Sequence, residues 1–273
     1  MKSVNKHLLV VGPGFLGKEI VREATELGWA VSTLSRSGSS GLKGDVTDLA
    51  WLIDLADKIQ PTHIIHCASA SAGSMDRLES YRRVYLKGSE NLVTVFPQSR
   101  IVFTSSTSVY AQEDGSVVDE SSETKPSTET AKVLLEAEAV ITNAGGIVAR
   151  LSGIYGKGRS YMLKRLRSGD AKLDGEGTRL LNHIHHIDGA RACLFLLENA
   201  GSGEIYNVTD SITLCQKETY QRLCKTFDIP MPESAPREPS PRGNSDKSIS
   251  NSKLLALGWK PLYPCFADAA VEL

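Results

Sequence analysis

His7-Leu8-Leu9-Val10-Val11-Gly12-Pro13-Gly14-Phe15-Leu16-Gly17 is the stretch on which the fold turns. Its apolar run ends abruptly in glycine, the pattern of a strand buried on both faces of a parallel sheet. From Phe15 the apolar residues Leu16, Ile20, Val21, Ala24 and Leu27 recur with a period near 3.6, and Gly28 stands where a helix stop belongs. Between strand and helix the glycines spell G-x-G-x-x-G. Glycine there permits a tight turn, close approach of backbone to a pyrophosphate, and close packing of helix on strand, while the helix N-terminus offers free N–H groups and the positive end of its dipole. Gly12, Gly14, Phe15, Leu16 and Gly17 are therefore the candidate pyrophosphate-binding set; the plainer alternative is an ordinary glycine-rich turn.

Working outward, helix and strand alternate. Ala30–Leu34 reads as a second strand, Asp48 as the cap of a helix through Leu49, Leu52, Ile53 and Leu55, and His63–Cys67 as a third strand. A helix is expected over about 76–96, a strand over 100–104, a helix over about 128–143 and a strand over 147–151. This is an α/β chain with a doubly wound parallel Rossmann sheet. Past Leu151 the alternation loosens, so residues 1–151 are assigned to the dinucleotide-binding domain, 183–200 to a segment returning to it, and 152–182 with 201–273 to a small C-terminal substrate lobe. Glu233–Lys247, rich in Pro, Ser and charge, reads as a mobile surface loop, with a lid over the cleft as the alternative.

Composition excludes several classes. In 273 residues, 31 Lys+Arg stand against 32 Asp+Glu, which leaves no net field to gather a polyanion, so nucleic acid is not the expected partner. The five cysteines are scattered and odd in number, without a C-x-x-C pair, and read as reduced thiols of a cytoplasmic protein. The N-terminal apolar run is too short for a signal segment and no stretch reaches the length of a membrane span.

A ribose-binding acid would stand about 20 residues beyond the glycines, at the end of the second strand. Ser35-Arg36 is there instead. A guanidinium can grip a 2′-phosphate through two parallel hydrogen bonds, so NADP is expected over NAD; a solvated surface arginine is the alternative.

Taken with later motifs, these features resemble the short-chain dehydrogenase/reductase superfamily, in the extended branch known as the NAD-dependent epimerase/dehydratase family. Gly44-Asp45-Val46-Thr47-Asp48 resembles that family's G-D-x-x-D, which implies that Asp45, beside Val46, reaches the adenine. Cys67-Ala68-Ser69 stands at the family's small-residue turn beneath the cofactor, and Ile184-His185-His186-Ile187-Asp188 resembles its I-H-V-x-D packing segment. His183, His185 and His186 lack the Cys or carboxylate partners of a metal site. Thr104-Ser105-Ser106-Thr107-Ser108-Val109-Tyr110 resembles the serine-rich strand end before V-Y-G, with Ser105 toward the cofactor and Ser106 at the catalytic serine position.

Two departures are visible. The family's Tyr and Lys, four apart on one helix, become Thr128 and Lys132, and its Asn becomes Tyr85 in Val84-Tyr85-Leu86-Lys87-Gly88-Ser89. Lys132 is then expected to hold the nicotinamide ribose, and any proton to come from Ser106, Tyr85, another tyrosine, substrate or water. The resemblance implies an oxidoreductase moving a hydride between NADP(H) and a small carbonyl, hydroxyl or sugar-like substrate. The alternative is a catalytically weak NADP(H)-binding regulatory or redox-sensing protein. It also implies a homodimer pairing the helices at 76–96 and 128–143.

Overall fold

A computed structural model describes residues 6–70, 76–237 and 245–273 of the chain. Seven parallel strands form the central sheet: β1 (His7–Val11), β2 (Ala30–Ser35), β3 (Leu42–Lys43), β4 (His63–His66), β5 (Arg100–Ser106), β6 (Ile147–Leu151) and β7 (Ile205–Val208). Their order across the sheet is β7-β6-β5-β4-β1-β2-β3, so the direction of winding reverses at β1. Val10 lies opposite Thr33 on one side and Ile65 on the other. The doubly wound Rossmann architecture read from the sequence is the one observed.

Each strand of the sheet's centre sends alternate side chains to two cores. Leu8 and Val10 meet α1 (Phe15–Glu26) through Ile20 and Ala24, together with a helix of residues 186–199 through Ala190, Leu194 and Leu197. Leu9 and Val11 face the opposite core with Leu52 of α2 (Leu49–Ala56), Leu92, and Leu134 and Ile141 of a helix at 129–143. Burial on both faces is why β1 carries no polar alternation.

The helix expected over 76–96 is interrupted. α3 (Arg77–Tyr81), capped by the Asp76 carboxylate on the N–H groups of Leu78 and Glu79 at 3.1 and 3.3 Å, passes into a π-helical turn at Arg82–Lys87 and then into α4 (Gly88–Val95). A wide turn loosens the i→i−4 ladder, and the Val84 carbonyl is met by His66 Nε2 at 3.1 Å, so the end of β4 holds the turn in place.

Beyond β5, α5 (Glu129–Asn143) leads to β6, α6 (Tyr161–Arg167) lies in the small lobe, and α7 (His186–Asn199) returns to the sheet against α1. β7 then adds at the sheet's edge beside β6. The return therefore runs past residue 200, and Ile205–Val208, assigned above to the small lobe, belongs to the central sheet. The lobe has its own core, in which Leu166, Tyr220 and Leu223 of α6 and α8 (Gln216–Phe227) pack with Tyr155, Leu173 and Phe266. Of the loop expected over Glu233–Lys247, residues 238–244 lie outside the described residues; on its flanks Ser234-Ala235 pairs with Leu173-Asp174 and Ser248-Ile249 with Val117-Val118.

A buried polar network ties the two lobes together. The Arg150 guanidinium holds the Glu138 carboxylate, with Nη2 2.6 Å from Oε2, at 4% and 3% exposure. Arg150 Nη1 also donates to Tyr110 Oη at 2.9 Å, and that hydroxyl donates to Asn207 Oδ1 at 2.9 Å. Lys247, itself buried, donates from Nζ to the Tyr110 carbonyl at 2.7 Å. Among the described residues no helix is long and apolar enough to cross a membrane.

Candidate functional site

The reversal at β1 opens a crevice at the carboxyl ends of the strands, where ligands bind in open α/β sheets. It is a cleft of about 720 Å³ walled by Gly12, Gly14, Phe15, Leu16, Ser35, Arg36, Asp45, Val46, Cys67, Ala68, Ser69 and Ser105, among others. All the residues named above for the dinucleotide except Gly17 and Lys132 line it.

Sterics separate the three glycines. Gly12 has φ +92°, and a Cβ there would stand 2.3 Å from Ala68 Cα. A Cβ on Gly17 would stand 2.3 Å from the Gly12 carbonyl oxygen, so α1 sits directly against the turn. At Gly14 nothing lies within 4 Å. Gly14 is the N-cap of α1 and no side chain among the described residues caps that end, which leaves the first N–H groups of α1 open to the cleft.

At the β2 side, Ser35 Oγ accepts from the Gly38 N–H at 3.1 Å and orders the turn, and Arg36 is exposed on the wall. Asp45 is half-buried; its Oδ1 accepts from Thr47 N and Thr47 Oγ1, both at 2.9 Å. Arg83 Nη2 lies 3.9 Å from Asp45 Oδ2 and donates to Thr47 Oγ1 at 3.3 Å.

At the β4 and β5 side, Cys67 Sγ donates to the Gly12 carbonyl at 3.2 Å, and burial pushes its thiol up to about 12, which removes it as a nucleophile. Thr104 Oγ1 donates to the His66 carbonyl at 3.2 Å, and Ser105 Oγ to Glu138 Oε1 at 2.5 Å, so Ser105 presents its backbone rather than its hydroxyl. Tyr85, in the π turn, lines the same end; its Oη accepts from the Ala70 N–H at 3.2 Å.

Ser106, Thr128 and Lys132 are not brought into this wall. Ser106 Oγ accepts from Ser108 N at 3.2 Å and caps a short 3-10 turn. Thr128 is the N-cap of α5, its Oγ1 accepting from Ala131 N at 3.4 Å. Lys132 pairs with Glu129 at 2.6 Å on a half-exposed helix face. The three histidines are held by rings: His183 stacks on Phe266 with centroids 4.3 Å apart, His185 meets Tyr263 at 3.9 Å, and His186 meets Phe15 at 4.8 Å.

Two charged cleft residues went unnoticed in the sequence. Arg83 arrives on the π turn, and Arg159, from the Gly156–Ser160 loop, sets its guanidinium 5.0 Å over the Phe15 ring. The loop was visible as glycines, but its return across the first turn of α1 is a tertiary fact.

Residues 8–209 match the profile of the NAD dependent epimerase/dehydratase family, and the chain belongs to that family. Protein YeeZ of Escherichia coli (strain K12) is 28% identical, the match covering 95% of this chain and 97% of that one. A solved epimerase/dehydratase-type protein from Methylobacillus flagellatus superposes with a TM-score of 0.79 at 27% identity, over 99% of this chain and 98% of that one. At 18% identity, where the likeness speaks for the fold alone, dTDP-glucose 4,6-dehydratase of Bacillus anthracis in complex with NAD gives a TM-score of 0.76, covering 94% and 92% of the two chains.

Proposed function

We propose that the chain binds NADP(H) in the cleft and is an oxidoreductase, moving a hydride between the dinucleotide and a small carbonyl, hydroxyl or sugar-like substrate. The observation that carries this reading is the open N-terminus of α1 beside Gly14, facing the same cleft as Ser35 and Arg36 with no carboxylate at the end of β2. The residues present fit the group. The N–H groups that open α1 would hold the diphosphate, Asp45 and Val46 the adenine side, and Ser35 with Arg36 a 2′-phosphate. Ala68, Ser69, Leu151 and Ile154 supply an apolar and small-residue wall for the nicotinamide half. When bound, the dinucleotide supplies the hydride; the chain's part is to hold it, exclude water on the β4–β5 side and deliver a proton. Membership of a family described as NAD dependent supports the cofactor class, and Arg36 argues for its phosphorylated form.

One observation favours the second reading, a regulatory dinucleotide binder with little turnover: Thr128 caps a helix and Lys132 is turned to Glu129. Calorimetric titration decides the first step. NADPH is expected to bind more tightly than NADH, and Arg36→Ala to weaken NADPH by about tenfold or more while leaving NADH nearly unchanged, since an arginine–phosphate pair is worth roughly 1.5–3 kcal/mol. Equal affinities in the wild type, or equal losses in the variant, would remove the 2′-phosphate assignment.

A further inference from the structure

The family's catalytic phenol is missing from α5, yet the cleft contains a phenol. Of the tyrosines among the described residues, Tyr85 is the one that lines it. Tyr110 has its hydroxyl fixed between Arg150 and Asn207, and Tyr155 is closed into the small-lobe core. On the β4–β5 side two other hydroxyls are engaged, Thr104 by the His66 carbonyl and Ser105 by Glu138, which leaves Ser69, an aliphatic hydroxyl far less acidic than a phenol, beside Tyr85. Tyr85 Oη accepts from Ala70 N–H, and among the described residues nothing accepts its proton. The ring is fixed edge-on to Tyr81 at 4.9 Å and to Phe103 at 6.1 Å, and its backbone by the π turn that His66 holds. Wide turns of this kind are frequent at functional sites.

The order of strands gives the side of the cleft. Ser35, Arg36 and Asp45 stand at the β2 and β3 side, whereas Ala68, Ser69 and Ala70 follow β4, on the other side of β1, and Thr104 lies in β5, two residues before its end at Ser106. Tyr85 stands with the second group, away from the adenosine side.

We propose that Tyr85 is the proton donor of this site, working from the π turn that packs against α5 rather than from α5 itself. The inference rests on the dinucleotide reading of the cleft. In the reduction direction a hydride from the reduced dinucleotide forms a C–H bond at the substrate's carbonyl carbon. The C=O π pair moves onto oxygen, and the Tyr85 O–H bond breaks to give that oxygen its proton. Tyr85 is left as phenolate, accepting the Ala70 N–H hydrogen bond, and recovers a proton from water at the cleft mouth. Burial raises the phenol, so Tyr85 carries its proton at neutral pH, and the Ala70 N–H opposes that rise by stabilising the phenolate that donation would leave.

The test needs no substrate. The nicotinamide ring is cationic in NADP+ and neutral in NADPH, so a phenol facing that ring titrates lower in the oxidised complex. Tyrosine ionisation is followed by ultraviolet difference absorbance in the full chain with saturating NADP+ or NADPH, for wild type and Tyr85→Phe, with binding checked by calorimetry. One tyrosine is expected to titrate about one pH unit or more lower with NADP+ than with NADPH. That difference should vanish in Tyr85→Phe, whose NADPH affinity stays within about threefold of wild type. Bound NADP+ with no such difference, or the same difference in Tyr85→Phe, overturns the proposal and leaves the cleft reading standing. Failure of either dinucleotide to bind overturns the cleft reading and the proposal with it. Should Tyr85→Phe not fold, the same comparison made by NMR on wild type carrying 13C-labelled tyrosine resolves which rings respond, and no shifted ring in the oxidised complex overturns the proposal.

Discussion

Gly14→Ala should uncouple ligand binding from folding at the glycine turn. A Cβ at Gly14 meets nothing within 4 Å, and its φ of −83° is negative, so the protein has room for the methyl. Alanine is a poorer N-cap than glycine, which costs about 1 kcal/mol and, in a chain of this size, roughly 2 °C of melting temperature. The methyl does, however, project where a diphosphate must approach the first N–H groups of α1. Hydrogen bonds to a charged group contribute roughly 1.5–3 kcal/mol each, so losing two of them weakens binding by about 3–6 kcal/mol, or a hundredfold and more. Gly17→Ala is the contrasting variant, because its Cβ would lie 2.3 Å from the Gly12 carbonyl oxygen. There α1 must shift, and about 1–3 kcal/mol of stability goes with it. Thermal melts without ligand and calorimetric titration with NADPH, run on both variants, separate the two effects. A folded Gly14→Ala protein that binds NADPH as tightly as wild type would refute the assignment of this turn to the diphosphate.

Arg150→Met leaves the Glu138 carboxylate buried without its partner, so a loss of about 3–5 kcal/mol, seen as a melting point lower by roughly 6–10 °C, is expected; a shift under about 2 °C would show that the pair is dispensable. The His66 imidazole is lowered to about 4 by burial, so the unfolded chain binds the extra proton between about pH 6.5 and 4: the contribution is complete above the unfolded value and is lost as pH falls through that window. Buried Asp210, raised by its own desolvation, runs with the opposite sign, so the comparison is between variants. His66→Gln should flatten the dependence of unfolding free energy on pH by about 1.4 kcal/mol per pH unit within that window, measured by urea titration; parallel curves for the two proteins would contradict a neutral buried His66.

The parts of the fold legible in sequence are those set by local pattern. β1, the turn and α1 lie within twenty residues of one another, and the unbroken apolar run at Leu8–Val11 announces burial on both faces. Asp48 was readable as a cap because its carboxylate needs only Trp51 N, three residues on. The π turn was not, because what holds it is a contact from His66 to Val84, eighteen residues apart, and a periodic pattern with one extra residue looks like a continuous helix. Arg159 was hidden for a similar reason: no local rule tells a loop arginine that it will lie over the ring of Phe15. For Thr128 and Lys132, residue type and spacing indicated a place in the family pattern, whereas the hydrogen bonds show a cap and a surface ion pair.

The extra residue at Arg82–Lys87 acts on its helix as a phase shift does on a wave. Upstream, Asp76 and the short α3 face solvent and the cleft mouth; downstream, Ser89, Asn91 and Leu92 are locked in the interior, Asn91 Nδ2 donating to the Val46 carbonyl at 3.0 Å. In an uninterrupted α-helix every side chain's direction is tied to every other at 100° per residue, so re-aiming one end would disturb the core at the other. With the wide turn between them, the two halves keep separate angular registers. The half that borders the cleft can thereby take its own direction while the half that builds the interior stays where the sheet requires it.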